Sequence, residues 1–524
     1  MKKKLLFVLL GTYVFLYFNG CAIVKPNGEE DRSRSIPRAD REFRGVWVAT
    51  VSNIDWPSKP GLSTYDQKKE AIAILDSAAN LHLNAVIFQV RPHCDAMYPS
   101  QIEPWSSYLT GRQGKAPDPY YDPLEFWIQE AHNRGLELHA WFNPYRAFMS
   151  RGGEISDSSI VKKRPDLAKK VGNGTFWLDP SKKETQEYTY SVIMDVVNRY
   201  DVDGVHFDDY FYPYGDGNFP DDDSWEEYTK SGGSLSREDW RRAAVNSLVE
   251  RVYKGIKSQK QYVKFGISPF GIWRPTYPPS IAGYDQYNRL YADAKLWLNK
   301  GWIDYWTPQL YWPINQIPQS FPVLLGWWSR QNTKARNLWP GMILGRMNDE
   351  KGADEIINQI MIERGIVPDN PGHVLFSMKG LLRDSSVLVA SLKEGPYQKM
   401  AIVPPSPWLD DDAPAAAKTQ TTVSNDTLLV TWSHDKSDDV FRWVVYYQYD
   451  AMWEYTIMNR SDRTTALPLS RILTEITRSR RQQVVKDTTQ FLVRIAVSAV
   501  DRTGNESVLT FQDVAPKIPP AIKQ

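Results

Sequence analysis

"DVDGVHFDDYFYPY", residues 201–214, begins as an apolar strand and ends on two adjacent carboxylates, Asp208 and Asp209, set among aromatic rings. An apolar strand that turns polar at its C-terminal end is the mark of a parallel sheet whose strand ends face a ligand. Comparable runs recur on both sides of it. They are residues 43–51, 84–90, 136–144, 202–210, 263–271, 303–312, 339–345 and 373–380. Between them lie stretches such as DQKKEAIAILDSAANL and REDWRRAAVNSLVERVYKGIK, with apolar residues at three- and four-residue spacing. The alternation predicts an α/β fold, a (β/α)8 TIM-type barrel with insertions, over residues 42–400. An open doubly wound sheet is the alternative, but no Gly-rich phosphate loop follows the first strand.

Composition changes after the barrel. "VPPSPWLDDDAPAAAK" (residues 403–418) reads as a linker, assigned to 401–418. Short alternating strands follow over 419–516, and "LVRIAVSAVDRTGNES" (492–507) looks like the closing strands of a fibronectin type III module, a small all-β sandwich. At the other end, "MKKK" and the apolar run Leu5–Phe18 form a leader too short to span a bilayer comfortably. Gly20-Cys21 resembles a lipobox, so residues 1–21 are expected to be a lipoprotein signal peptide with Cys21 as the lipidated residue. Plain secretion and an uncleaved anchor are the rival readings. Residues 22–41, polar and charged, are expected to be a tether. A lipidated Cys21 implies a cell-envelope location, the outer membrane or cell surface. It leaves Cys94 as the one remaining cysteine, without a disulfide partner and expected to be a buried filler.

With 63 basic and 62 acidic residues, no global field draws the chain to nucleic acid. The 20 Trp, 28 Tyr and 19 Phe can fill a large core, and their faces also suit the C–H faces of sugar rings. Polar side chains cluster at the expected strand ends: Arg91, His93 and Asp95 on the second; His139, Trp141, Asn143 and Arg146 on the third; His206, Asp208, Asp209 and Tyr210 on the fourth. The fifth adds Ser268, Trp273 and Arg274, and the sixth Gln309, Tyr311 and Trp312. Polar groups there are costly unless they find partners or substrate. Two carboxylates in a partly dry pocket separate into one protonated and one ionised, the pair a glycosidase needs. Asp208 and Asp209 are therefore the expected catalytic residues and the other named strand-end residues, His93 apart, the expected glycan contacts. Asp208, His206 and Gly204 should share the lumen face; the alternative for Asp209 is a loop cap or a salt bridge to Arg91 or Arg146. The first strand lacks the HxH pair of metallohydrolase barrels, so no metal and no cofactor are expected; a calcium loop at "PDDDSWEE" (220–227) is weighed below solvated charge.

Several segments together resemble the glycosyl hydrolase-like 10 family, typical of bacterial lipoproteins. They are "REFRGVWVATVSNIDWPS" (41–58), "AVIFQVRPHCDAMYPS" (85–100), "EPWSSYLTG" (103–111), "HAWFNPYR" (139–146), "VDGVHFDDYFYPY" (202–214), "GISPFGIWR" (266–274) and "DYWTPQLYWP" (304–313). His93 and Cys94 stand where the family's usual "RPxGDAxYPS" has a small residue and Gly. The resemblance implies a (β/α)8 fold, hydrolysis of peptidoglycan glycan strands that lack stem peptides, and an acid at the last position of "DGxxxD", held here by Asp208. It leads to a monomeric, lipid-anchored glycoside hydrolase as the expectation. Hydrolysis of another exported or dietary polysaccharide, and a non-catalytic glycan-binding lipoprotein, remain the alternatives.

Overall fold

The computed structural model describes residues 38–345, 349–382, 387–478 and 483–514. Cys21, the expected leader and most of the expected tether lie outside them. Strand–helix units follow one another along the chain: β1 (Phe43–Val48), α1 (Thr64–Asn80), β2 (Ala85–Arg91), α2 (Pro123–Asn133), β3 (Glu137–Phe142) and α3 (Lys183–Arg199). They continue with β4 (Gly204–Phe207), α4 (Arg237–Gln259), β5 (Lys264–Ile267), α5 (Ala294–Lys300), β6 (Tyr305–Trp306) and α6 (Phe321–Gln331). The last are β7 (Asn337–Leu338 and, past Trp339-Pro340, Gly341–Ile343), α7 (Glu350–Ile366), β8 (Gly372–Phe376) and α8 (Val387–Glu394). All pairings between these strands are parallel. The first half of β7 pairs with β6 and its second half with β8, so the sheet closes on itself. The result is an α/β barrel.

Pleat alternation turns Gly204 and His206 to the lumen, as expected of the fourth strand, and Asp208 follows just past its end. The inner rings need glycine opposite them. A Cβ on Gly204 would meet the His139 ring at 2.5 Å, and one on Gly266 the Tyr305 ring at 2.0 Å. Phe43 stacks on Trp339 at 3.9 Å and closes the lower lumen.

A second unit follows the barrel. The segment before it is not a free linker: Trp408 Nε1 donates to Asp304 Oδ1 at 2.9 Å and Asn337 Nδ2 to Ser406 Oγ at 3.1 Å. Strands Lys418–Ser424, Thr427–Ser433 and Thr464–Pro468 form one antiparallel sheet. Met452–Asn459, Arg442–Tyr449, Gln483–Val500, Ser470–Arg478 and Thr510–Asp513 form another. Trp432, Trp443, Val445, Leu492 and Ile495 share an apolar core between them. This all-β domain seals the N-terminal base of the barrel. Lys264 Nζ donates to Arg502 O at 2.8 Å, and Arg502 pairs with Asp201 at 2.5 Å. Residues expected to end the tether are pinned there too, with Arg41 paired to Glu506 at 3.1 Å.

Candidate functional site

β4 ends at Phe207, so the chain leaves the pleat just before the two acids and both turn into one cleft at the C-terminal mouth. The cleft encloses about 800 Å³ of space. Its walls include Trp141, Arg146, Asp208, Asp209, Tyr210, Ser268, Gln309 and Tyr311, all anticipated from the sequence. Asp208 is 3% exposed and Asp209 4%.

The two carboxyl groups differ in their partners. Asp208 Oδ2 accepts from Trp141 Nε1 at 3.0 Å, and Asn143 Nδ2 lies 3.2 Å from each of its oxygens. Burial, with the charge of Asp209 adding to it, pushes Asp208 up to about 7 against the pull of Arg146 and these donors. Asp209 is also raised by burial, but the Tyr214 hydroxyl and Gln309 donate to it and oppose the shift. The charge of Asp209 is thus one of the causes that hold the proton on Asp208. The Arg146 guanidinium lies 3.9 Å from the centre of the Tyr210 ring and forms no ion pair with either acid. No salt bridge accounts for Asp209, and within its own loop its carboxyl accepts from the Tyr214 hydroxyl.

Other anticipated contacts sit elsewhere, for physical reasons. Arg91 is wholly buried beneath the mouth, pairing with Glu103 at 2.5 Å and donating to Asn143 O at 2.6 Å. It fixes the loop that carries Asn143, and so acts on Asp208 through that residue. Asp95 is buried beside His93 and Gln113. His139 and His206 are lumen scaffold. His139 binds Glu137 Oε2 at 2.9 Å and Tyr305 OH at 2.8 Å. His206 Nδ1 meets the same hydroxyl at 2.9 Å, while its Nε2 accepts from Trp47 Nε1 at 3.2 Å. Trp273 packs against Tyr277, Tyr287 and Trp327, and Arg274 lies over Tyr287. Trp312 packs edge-on against Phe270 behind the wall. Cys94 is the expected buried filler.

Trp47, Gln89, Tyr214, Phe270 and Phe376 line the cleft without having been singled out. Trp47, Gln89 and Phe376 lie on the barrel strands, whereas Tyr214 and Phe270 come from the loops after β4 and β5. Gln89 is the most informative. It is fully buried, and its Oε1 accepts from Thr50 N at 3.0 Å and Val51 N at 2.8 Å. Two backbone donors fix the amide orientation, and Nε2 of this cleft-lining side chain has no partner among the described residues. A buried donor left unmet costs about 1–3 kcal/mol, a debt that a ligand carbonyl would settle.

The three aspartates of "PDDDSWEE" are taken up by cations of the chain: Arg241 holds Asp221 at 2.6 Å, Arg237 holds Asp222 at 2.7 Å and Lys169 holds Asp223 at 2.7 Å. Glu42, Glu363 and His373 come close enough to share an ion at the barrel base. Arg44 and Arg364 already occupy both oxygens of Glu42, and two guanidiniums repel a cation.

The model of the family Glycosyl hydrolase-like 10 matches residues 42–354. The "Glycosyl hydrolase YngK" of Bacillus subtilis (strain 168) is 43% identical over 396 residues, covering 73% of this chain and 77% of that one. The "Glycosyl hydrolase DigH" of Escherichia coli (strain K12) is 38% identical over 330 residues, 59% of this chain and 74% of the relative. Among solved structures, an alpha-L-fucosidase isoenzyme 2 from Paenibacillus thiaminolyticus aligns with a TM-score of 0.46 at 11% identity, over 72% of this chain and 51% of that one.

Proposed function

Starting from the fact that the chain belongs to the Glycosyl hydrolase-like 10 family and is a glycoside hydrolase, we propose that it cleaves β-linked amino-sugar strands of peptidoglycan that lack stem peptides. The observation that carries the catalytic assignment is a pair of neighbouring buried acids with different partners, Asp208 and Asp209, in one aromatic-walled cleft, the carboxyl of Asp208 pushed up to about 7. Asp208 donates its proton to the leaving glycosidic oxygen as the C–O bond breaks. Asp209, negative and steadied by Tyr214 and Gln309, offsets the positive charge that grows on the sugar ring. Water then supplies hydroxyl to the anomeric carbon and returns a proton to the site.

Two features support an N-acetylated sugar. Gln89 Nε2 offers an unmet donor for an acetamido carbonyl, and Ala49, Val51 and Ile54 form an apolar wall for its methyl group. The acids lie at the floor of the cleft, so a sugar must descend to reach them, which disfavours a bulky peptide substituent. Lipidation at Cys21, residence in the cell envelope, a monomeric state and a fibronectin type III-like identity for the C-terminal domain belong to the same proposal. That domain then acts as a spacer and base plate rather than in catalysis.

The test is digestion of peptide-free peptidoglycan, intact peptidoglycan and chitin oligomers, with released saccharides measured by mass. Peptide-free strands should be the best substrate. Near-normal turnover by Asp208→Asn would refute the catalytic assignment, and preference for a polysaccharide without amino sugars would refute the substrate.

A further inference from the structure

A second cavity, of about 640 Å³, opens on the same face of the barrel. Its walls come from the loops after β1, β2 and β3 and include Ser52, Asn53, Ser107, Tyr108 and Arg151. The turn after β1 separates the two cavities: Val51 and Ile54 face the acids, while Ser52 and Asn53 face the second space.

That turn is held in a single shape. Ser52 and Asn53 both adopt left-handed backbone angles, φ 53° and 54°, which non-glycine residues keep only under constraint. Asn53 Nδ2 donates to Pro57 O at 2.8 Å and Tyr108 O at 2.9 Å, and Asp55 Oδ2 accepts from Ala49 N at 2.7 Å. The second space therefore lies across this braced turn from the acids.

Two polar groups there lack partners. Ser107, 6% exposed, has a buried Oγ with no hydrogen bond among the described residues. Arg151 is exposed at the rim and forms no ion pair among them. Arg151 and Ser107 both border this pocket, and a guanidinium with a hydroxyl beside it makes a receptor for a carboxylate.

Resting on the hydrolase reading above, we propose that this cavity is a subsite for the neighbouring sugar and that Arg151 and Ser107 bind its ether-linked lactyl carboxylate. A stem peptide is joined to that carboxylate as an amide, which removes the negative charge and adds bulk. The subsite thus selects peptide-free strands by charge as well as by size.

The experiment compares peptide-free strands with the same strands after their carboxylates are converted to methylamides. Wild-type kcat/KM should favour the free acid by about fivefold, through KM, with the ratio shrinking as salt rises, as for an exposed ion pair. In Arg151→Gln the ratio should fall to about one, and Ser107→Ala should lower it in part. Affinity of the two strands for Asp208→Asn, with and without Arg151→Gln, gives the same ratio independently of cleavage. An Arg151→Gln protein that keeps the wild-type ratio, in binding or in kcat/KM, overturns the subsite. Absence of cleavage with the binding ratio intact would instead defeat the hydrolase reading alone.

Discussion

At the base of β4, Asp203 accepts from His132 Nε2 at 2.7 Å and from Leu138 N at 2.8 Å, with Arg502 at 3.3 Å. At the mouth, five residues on, Asp208 meets an indole N–H and a side-chain amide. Both carboxyl groups are buried, and burial alone would raise either one. His132 and Arg502 overcome it at the base and hold Asp203 well below the ordinary range, whereas Asp208 stands near 7. The difference teaches that dryness does not decide protonation by itself; the charge of the partner does. The same strand that anchors the all-β domain with an ion pair at its base presents a transferable proton at its mouth.

The sharpest way to break this contrast is Asp208→Asn. Glycan cleavage should fall by about 10²–10⁴-fold if Asp208 is the proton donor. The folded state also holds a proton that the unfolded chain releases above about pH 4, so stability declines as pH rises from about 4 to about 7. Asp208→Asn should therefore raise Tm at pH 8 and change it little at pH 4. A variant that is inactive yet no more stable at pH 8 would contradict the raised carboxyl.

Asp203→Asn attacks the other end. Leaving Arg502 without that partner and His132 without its carboxylate should destabilise the fold by about 3 kcal/mol at pH 7. For the wild-type pair the sign is opposite to that of Asp208: the lowered carboxyl stabilises above its unfolded value and loses this as pH falls through the folded one. Thermal unfolding from pH 7 down to pH 3 should show the wild-type advantage shrinking, while kcat of the folded variant stays close to normal. A large loss of kcat at full folding would show that base and mouth are coupled.

Trp141→Phe sharpens the comparison from within the cleft. Removing the indole donor takes away a bond to the charged carboxylate, so the alkaline limb of the kcat profile should move up by about one pH unit. An unmoved limb would mean that another group titrates. The smallest effect belongs to Gln89→Leu, which should raise KM for N-acetylated strands about fivefold relative to de-N-acetylated ones. Equal KM changes on both would remove the acetamide contact.

Much of this was legible in order and alternation. The strand runs, the intervening helices and the lumen phase of Gly204, His206 and Asp208 follow from period-two and period-3.6 patterning. The bounds were less legible: β6 is two residues where ten were expected, because Pro308 and the turn beyond it interrupt the ladder. Polarity at a strand end was also an incomplete guide. His139 and His206 look like ligand groups in the sequence, yet Tyr305 reaches across from β6 and satisfies both. Arg91 looks like a glycan contact until Glu103, from its own loop, folds back on it. Gln89 reads as an ordinary strand residue until two backbone donors turn its amide.

From the sequence alone came the barrel's repeat, the all-β segment after it, the family likeness and the place of the paired acids at the end of the fourth strand. These are local properties, written in spacing and in short motifs. The tertiary structure alone decided which polar strand-end groups remain open to a ligand, which partners each of two neighbouring acids meets, and that the all-β domain closes the base rather than flanking the cleft. Those outcomes depend on partners distant in the chain, such as Arg502 for Asp203 and Tyr305 for two histidines, and no local pattern encodes who meets whom in a closed sheet.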